Sequence, residues 1–397
     1  MFSAIKRSAA EFVFSNLIAR PARTEHARRR AAQGPLVVAG LFGTASGIGQ
    51  SARACADGLE KQGYQVTRLD LSPHFNQRDL DISGLAQTLP KATSGTLLLH
   101  LNAPETYTAL RALRLYRPKN WRVVGCWVWE FEQIPPAWLA AVPFLSEIWA
   151  PTNFCADAFR RSVDIPVRLA PYYVAPPPHI TESFRDSLGL GADKFVVLSM
   201  ADGRSSLTRK NLAGSVSAFL EAFPDNEHCA LILKTRNLDV DGEGARALRD
   251  QIAGDPRIIL LNQSITKAEQ WALLSSCDVY LSLHRCEGFG LPIAEAMALG
   301  KPVVATAWSG NMDFTTPETA MLTPFTIVPV HDISGAYRLL REMSWAQPDI
   351  AAAADSLRQL HGNPVLRRQL GEAAKDKIEQ ALAGDEYGAA LNDLSAV

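Results

Sequence analysis

Seven residues separate Glu287 from Glu295, and the interval holds Gly288, Phe289, Gly290 and Leu291 before Pro292. An apolar run ending at Leu283 leads into this turn. Pro292 suits the first position of a helix, where its missing N–H costs nothing. Backbone N–H groups of a glycine-rich turn entering a helix make an anion site. Glu295 then falls in the first helical turn and Glu287 just outside it, so both can flank one phosphate-bearing ligand. A carboxylate accepts two hydrogen bonds at once, which suits a ribose cis-diol. Upstream, 199–211 reads SMADGRSSLTRKN, again a strand end running into a helix. Arg204 and Lys210 point from that turn towards the same place, with Arg209 beside them. Fixed cations there can neutralise a diphosphate without a metal.

A second glycine group lies near the start, GTASGIGQSAR at 43–53, after an apolar run. Gly43, Gly47 and Gly49 imitate the cofactor loop of short-chain dehydrogenases. Asp70 follows at the distance where a dinucleotide fold wants a carboxylate for the ribose. That chemistry also needs a Tyr-x-x-x-Lys, and no lysine in the chain has a tyrosine four residues before it. The loop therefore cradles a different phosphate, or is a tight strand–helix turn and nothing more.

These groups need strands to aim them. From 35 to 171, apolar stretches at 36–42, 65–71, 96–101, 122–129, 148–150 and 167–170 alternate with helical patterns near 48–62, 104–116, 135–142 and 153–162. Such alternation predicts a parallel sheet wrapped by helices. Three consecutive prolines at 176–178 interrupt it, because proline fits neither a helix interior nor a central strand. A second alternating series begins near 194. Its strands fall at 229–234, 257–261, 279–283 and 302–306, its helices near 211–222, 245–253, 267–276 and 292–299, and a helix-rich tail runs from 350. The expected class is α/β with two doubly wound, Rossmann-like domains. The boundaries are an arm at 1–33, a first domain at 34–175, a linker at 176–193, a second domain at 194–375 and a C-terminal crossover helix at 376–397.

The chain has 397 residues, is 47% hydrophobic and carries a net charge of −1, so nothing global attracts nucleic acid. Six cysteines form no C-x-x-C pair, which fits reduced thiols in a cytoplasmic protein. The arm differs. Seven Lys or Arg residues stand there against Glu11 and Glu25, with Phe2, Ile5, Phe12, Phe14, Leu17 and Ile18 interleaved. A basic amphipathic helix of that kind can rest on an anionic membrane surface. Packing on the protein, or no fixed structure, are the alternatives.

With this context the chain resembles the retaining nucleotide-sugar glycosyltransferases of the GT-B type, family 4, related to mannosyl- and glucosyltransferases of bacterial polysaccharide and lipopolysaccharide assembly. The resemblance rests on E-x7-E at Glu287 and Glu295 together with SGIGQSAR, WEFEQIP, EIWAPTNF, RKN, SLHRCEGFGLPIAEAMALGKPVVAT and WSGNMDF in order, and spans roughly 36–380. It implies two domains facing a cleft and transfer of a hexose with retention, without a metal or other cofactor. The implied donor is GDP-mannose first, a UDP-hexose second. The acceptor is a saccharide or lipid-linked saccharide, reached on the inner face of the cytoplasmic membrane. Glu295 would hold the ribose and Glu287 the donor sugar or its phosphate neighbourhood. Arg204 and Lys210 would grip the diphosphate, and Gly47 and Gly49 would close over the phosphates from the first domain. Many relatives present a histidine to the sugar where this chain reads WVWEFEQIP, so Glu130 is the candidate for sugar or acceptor contact, unless it and Glu132 are solvated loop carboxylates. A silent nucleotide-sugar-binding subunit and a GT-B epimerase or phosphorylase are the competing readings. The pairs Asp79-x-Asp81 and Asp239-x-Asp241 imitate a metal motif without its setting, and 239–250 imitates a calcium loop without its terminal glutamate. His284 reads as a structural or phosphate neighbour. Trp127, Trp129 and Trp138 fit either sugar stacking or core packing.

Overall fold

The computed structural model describes residues 34–77, 79–80, 82–115, 120–180, 183–240, 242–332, 337 and 342–393. The basic arm at 1–33, with its proposed membrane contact, lies outside the described residues, as do Asp81 and Asp241 of the two acidic pairs. The chain forms two units, one of residues 1–173 with 382–397, the other of 174–381.

The first unit is built on β1 (Leu36–Gly40), α1 (Gly47–Lys61), β2 (Val66–Asp70), β3 (Gly95–His100), α2 (Ala103–Ala112), β4 (Trp121–Cys126), β5 (Glu147–Ala150), α3 (Asn153–Arg160) and β6 (Val167–Leu169). Its six strands are parallel and ordered β2-β1-β3-β4-β5-β6. Central strands read as continuous apolar runs because both faces are covered; all six residues of β3 are buried. Val38, Phe42, Cys55, Leu59, Leu98, Val124 and Trp149 form the core. Strand order reverses between β1 and β3, which puts Gly40 opposite both Asp70 and His100.

The second unit contains α4 (Phe184–Ser187), β7 (Phe195–Asp202), α5 (Leu207–Lys210), α6 (Leu212–Ala222), β8 (Cys229–Arg236), α7 (Gly242–Ile252), β9 (Ile258–Asn262), α8 (Lys267–Ser276), β10 (Val279–Ser282), α9 (Leu291–Ala298), β11 (Val303–Thr306), β12 (Met321–Thr323), β13 (Phe325–Pro329), β14 (Ser344–Pro348), α10 (Ile350–Gly362) and α11 (Pro364–Ala381). Its parallel sheet runs β12-β11-β10-β7-β8-β9, reversing between β7 and β10. Strands β13 and β14 pair antiparallel beside it.

The chain then returns to the first unit with α12 (Asp385–Asn392). Tyr387 is buried there, and its hydroxyl accepts the Tyr173 amide at 3.3 Å. Arg122 donates to the carbonyls of Leu391 at 2.6 Å and Ala390 at 2.8 Å. The same arginine pairs with Glu147 at 2.6 Å, and Arg168 reaches Glu147 at 2.9 Å and also pairs with Asp393. One buried carboxylate thus holds two arginines that fasten the C-terminal segment.

The structure departs from the sequence reading at several places. Residues 176–193 fall within the second unit, where Arg185 of α4 pairs with Asp278 at 2.7 Å and donates to the Ser276 carbonyl at 2.9 Å. The stretch predicted helical at 135–142 is a 3-10 turn, Pro136–Phe144, with Pro143 inside it, where its missing amide interrupts α-helical hydrogen bonding. Strands β12 to β14 were not legible as strands. Of the two readings open for Trp127, Trp129 and Trp138, the structure takes core packing: Trp129 and Trp138 ring centres lie 4.8 Å apart, Trp127 and Trp138 5.5 Å.

Candidate functional site

Reversal of strand order between β7 and β10 splits the loops that leave their C-terminal ends, and ligands of open α/β sheets bind in that crevice. The loop after β7 carries Ser206, Arg209, Lys210 and Asn211. The loop after β10 carries His284 to Gly290. They are stitched together: Arg285 donates its amide to the Arg209 carbonyl at 2.8 Å, and Asn211 Nδ2 donates to the Leu283 carbonyl at 2.8 Å. Asn211, at φ 54°, ends α5 and caps α6 in one residue, a left-handed position that asparagine tolerates.

Glu287 sits where the two loops meet. Lys210 Nζ pairs with its Oε1, and Arg209 stands 3.2 Å from its Oε2 while donating to the Cys286 carbonyl at 2.9 Å. Burial alone would raise the Glu287 carboxyl, but Lys210, then Arg209 and His284, outweigh it and hold it at about 2. The Glu287 carboxylate is ionised at neutral pH and holds two cations in place. His284 beneath is wholly buried, and burial holds it down at about 4, so it is a neutral neighbour and not a proton carrier at pH 7.

The backbone around Glu287 is fixed from a third loop. Ser309 Oγ accepts the Glu287 amide at 2.8 Å, and the Gly310 amide donates to the Glu287 carbonyl at 2.9 Å. Ser309 adopts φ 71°, ψ −149°, a region essentially confined to glycine, so the contact is held under strain. A Cβ on Gly310 would lie 2.3 Å from the Gly288 carbonyl oxygen, which explains glycine there. Gly290 caps α9 at φ 95°, and Phe289 turns inward onto Phe314, ring centres 5.2 Å apart.

Helix α9 starts at Leu291, so Pro292 is its second residue and Glu295 its fifth. Glu295 therefore lies in the second turn, not the first as the sequence reading has it, and is 2% exposed. Two groups of α8 reach it: Lys267 Nζ pairs with Oε1, and Gln270 Nε2 donates to Oε2. Neither partner was anticipated. The visible signal was Thr266-Lys267-Ala268-Glu269, a capping box that fixes the start of α8 and hence the direction of Lys267.

Residues 211–337 match the family described as glycosyl transferases group 1. The match lies wholly within the second unit. No curated protein matches the chain. Among solved structures, HepE of Anabaena in complex with UDP and glucose is 14% identical with a TM-score of 0.62, covering 90% of this chain and 99% of its own. Sucrose-phosphate synthase of Thermosynechococcus elongatus is 17% identical with a TM-score of 0.62, covering 91% and 98%. TarM of S. aureus, in complex with UDP among other ligands, is 13% identical with a TM-score of 0.54, covering 75% and 55%. The chain spans just over half the length of TarM. The likeness shows the fold, the GT-B type: two parallel six-stranded sheets each wrapped by helices.

Other anticipated residues are placed differently. Arg204 is exposed on the 3-10 turn Gly203–Ser205, its amide capped by Asp202 at 3.0 Å, and its side chain is not among the groups on Glu287. Glu130 is half-buried in the segment after β4, within the first unit. Gly47 and Gly49 form the first turn of α1 rather than a loop, with Ser46 Oγ accepting the Gly49 amide at 3.1 Å. A Cβ on Gly49 would lie 2.5 Å from both the Leu41 carbonyl oxygen and Thr44 Oγ1, so Gly49 is there for packing; Gly47 is the exposed one. Gly49→Ala should accordingly cost about 1–3 kcal/mol, seen as a lowered urea midpoint; an unchanged midpoint would show that the turn relaxes freely. Asp70 Oδ1 accepts from the Gly43 amide at 3.2 Å, the Ser72 amide at 3.0 Å and Ser72 Oγ at 2.6 Å, which commits it to its own loop rather than to a ribose. Among the described residues, no group of three or more His, Cys, Asp or Glu is placed to hold a metal ion, and no helix is long and apolar enough to cross a membrane.

Proposed function

We propose that the chain transfers a hexose, with retention, from a nucleoside diphosphate donor to a saccharide or lipid-linked saccharide in bacterial polysaccharide or glycolipid assembly. The observation that carries this reading is the Glu287 cluster at the strand-order reversal, where Lys210 and Arg209 are two cations fixed side by side. A departing nucleoside diphosphate gains negative charge as the glycosidic bond breaks. Cations already fixed in place stabilise that charge without reorganising. Lys210 and Arg209 do this, Glu287 holds them in position and faces the sugar, and Glu295 receives the ribose. The acceptor hydroxyl attacks the face that the diphosphate leaves, and a diphosphate oxygen takes its proton, so no protein base is needed. UDP in the HepE and TarM complexes favours a UDP-hexose over GDP-mannose as the donor. Arg204 would extend the cationic rim, and the arm at 1–33 would bring the enzyme to an acceptor on an anionic inner-membrane face.

The test is a panel of UDP- and GDP-hexoses, scored by thermal shift and by release of free nucleotide, with product configuration read by NMR. Release is expected to persist in excess EDTA, because Lys210 and Arg209 take the place of a metal. Turnover that stops in EDTA and returns only with a divalent ion would overturn the assignment of the diphosphate to these cations. An inverted product would overturn the front-face course.

A further inference from the structure

The partners of Glu295 carry more than its burial. Lys267 and Gln270 are three residues apart and so share one face of α8. The Thr266–Glu269 capping box fixes that helix's first turn, and the Lys267 ammonium lies 4.8 Å from the Trp271 ring centre, which limits its freedom. Both therefore reach Glu295 from one direction. An ionised carboxylate offers four lone-pair sites, two on each oxygen. Lys267 takes one on Oε1 and Gln270 one on Oε2, which leaves one on each oxygen. A terminal carboxylate torsion is otherwise broad; two donors from one helix hold this one in a single plane.

We propose that Lys267 and Gln270 are positioning residues that lock Glu295 as a bidentate acceptor for a ribose 2′,3′-diol, and so make the site select ribonucleotide over 2′-deoxyribonucleotide donors. The inference rests on the reading of Glu295 as the ribose partner. A donor with both hydroxyls meets both open lone pairs. A 2′-deoxy donor leaves one oxygen of a buried, immobilised carboxylate short of a hydrogen bond, and sites built around a substrate hydroxyl discriminate against its absence. If the two side chains only tie α8 to α9, removing them changes stability without changing this preference.

The experiment is calorimetric titration with UDP and 2′-deoxy-UDP, and with GDP and 2′-deoxy-GDP, on the full chain and on Lys267→Met, Lys267→Arg, Gln270→Leu and Glu295→Ala. The full chain should prefer the ribonucleotide by about 10–100-fold, the scale of one charge-assisted hydrogen bond. Lys267→Met and Gln270→Leu should each bring that ratio to within roughly threefold, with 2′-deoxy affinity little changed, while Lys267→Arg keeps the preference. Gln270→Leu conserves bulk and carries the test alone if a lysine variant does not fold. A ratio that survives both substitutions but collapses in Glu295→Ala overturns the positioning role and leaves the donor reading standing. A ratio untouched by Glu295→Ala, or absent from the full chain, overturns the ribose assignment itself.

Discussion

Glu287→Gln should lower transfer by about 10²–10³-fold, the scale of losing one preorganised electrostatic group. The change keeps the shape and removes the charge. Lys210 and Arg209 then lose the anion that spaces them, since Arg209 lies 3.2 Å from one oxygen and Lys210 pairs with the other. The loss should fall mainly on kcat, because the misplaced cations meet the charge that develops on the leaving group. A kcat within threefold of the parent, on a folded protein, would sink the assignment. The pH dependence follows from the same cluster. The folded-state carboxyl lies at about 2, below its ordinary value of 4.5, so the ionised form is the stabilised one. That stabilisation is fully present above pH 4.5 and is lost as pH falls from there towards 2. Between pH 5 and 8 Glu287 should contribute no acid limb to the rate.

Glu147→Ala should be among the most destabilising single changes in the first unit. Glu147 is 1% exposed and serves Arg122 at 2.6 Å and Arg168 at 2.9 Å. Removing one member of a buried ion network costs about 3–5 kcal/mol, because the remaining charges stay buried without compensation. At roughly 2–4 °C per kcal/mol for a unit of this size, a Tm fall of about 10 °C is expected. Proteolysis should begin at the C-terminal segment, since Arg122 also holds the Leu391 and Ala390 carbonyls. Nucleotide affinity should change little, because Glu147 belongs to the first unit and the Glu287 cluster to the second. A Tm within about 2 °C of the parent would show that the arginines find water or new partners. The two glutamates share a charge plan, one carboxylate between two cations, yet one variant should lose rate and the other stability.

Much of the fold was legible because parallel strands buried on both faces leave continuous apolar runs, as at 36–42 and 194–201. Glu287, Arg209 and Lys210 were legible for a local reason: each lies just past such a run, where an α/β sheet exposes its loops. Glu295 was singled out, but its helix begins one residue earlier than Pro292 suggests. The left-handed Gly290 sets the first helical residue at Leu291, and each residue of offset rotates a side chain by about 100°. Lys267 and Gln270 escaped notice because their reach depends on how α8 lies against α9, which no local pattern encodes. Ser309 escaped because a serine at φ 71° contradicts its own propensity. Gly49 misled in the opposite direction: a glycine demanded by a close carbonyl reads the same, in sequence, as one demanded by a phosphate.

The first unit closes with residues that lie beyond the whole of the second. On a ribosome, the strands from β1 to β6 emerge first, yet Tyr387 and the carbonyls that Arg122 holds arrive only after Ala381. The second unit, continuous from 174 to 381, has every residue it needs earlier. Domains generally fold as units and in order of synthesis, but here the order is inverted for completion: the unit begun first is finished last. A chain that stopped at Gly384 would therefore leave the whole second unit attached to an open first sheet, with Trp149 and Gly58 uncovered where Tyr387 should lie.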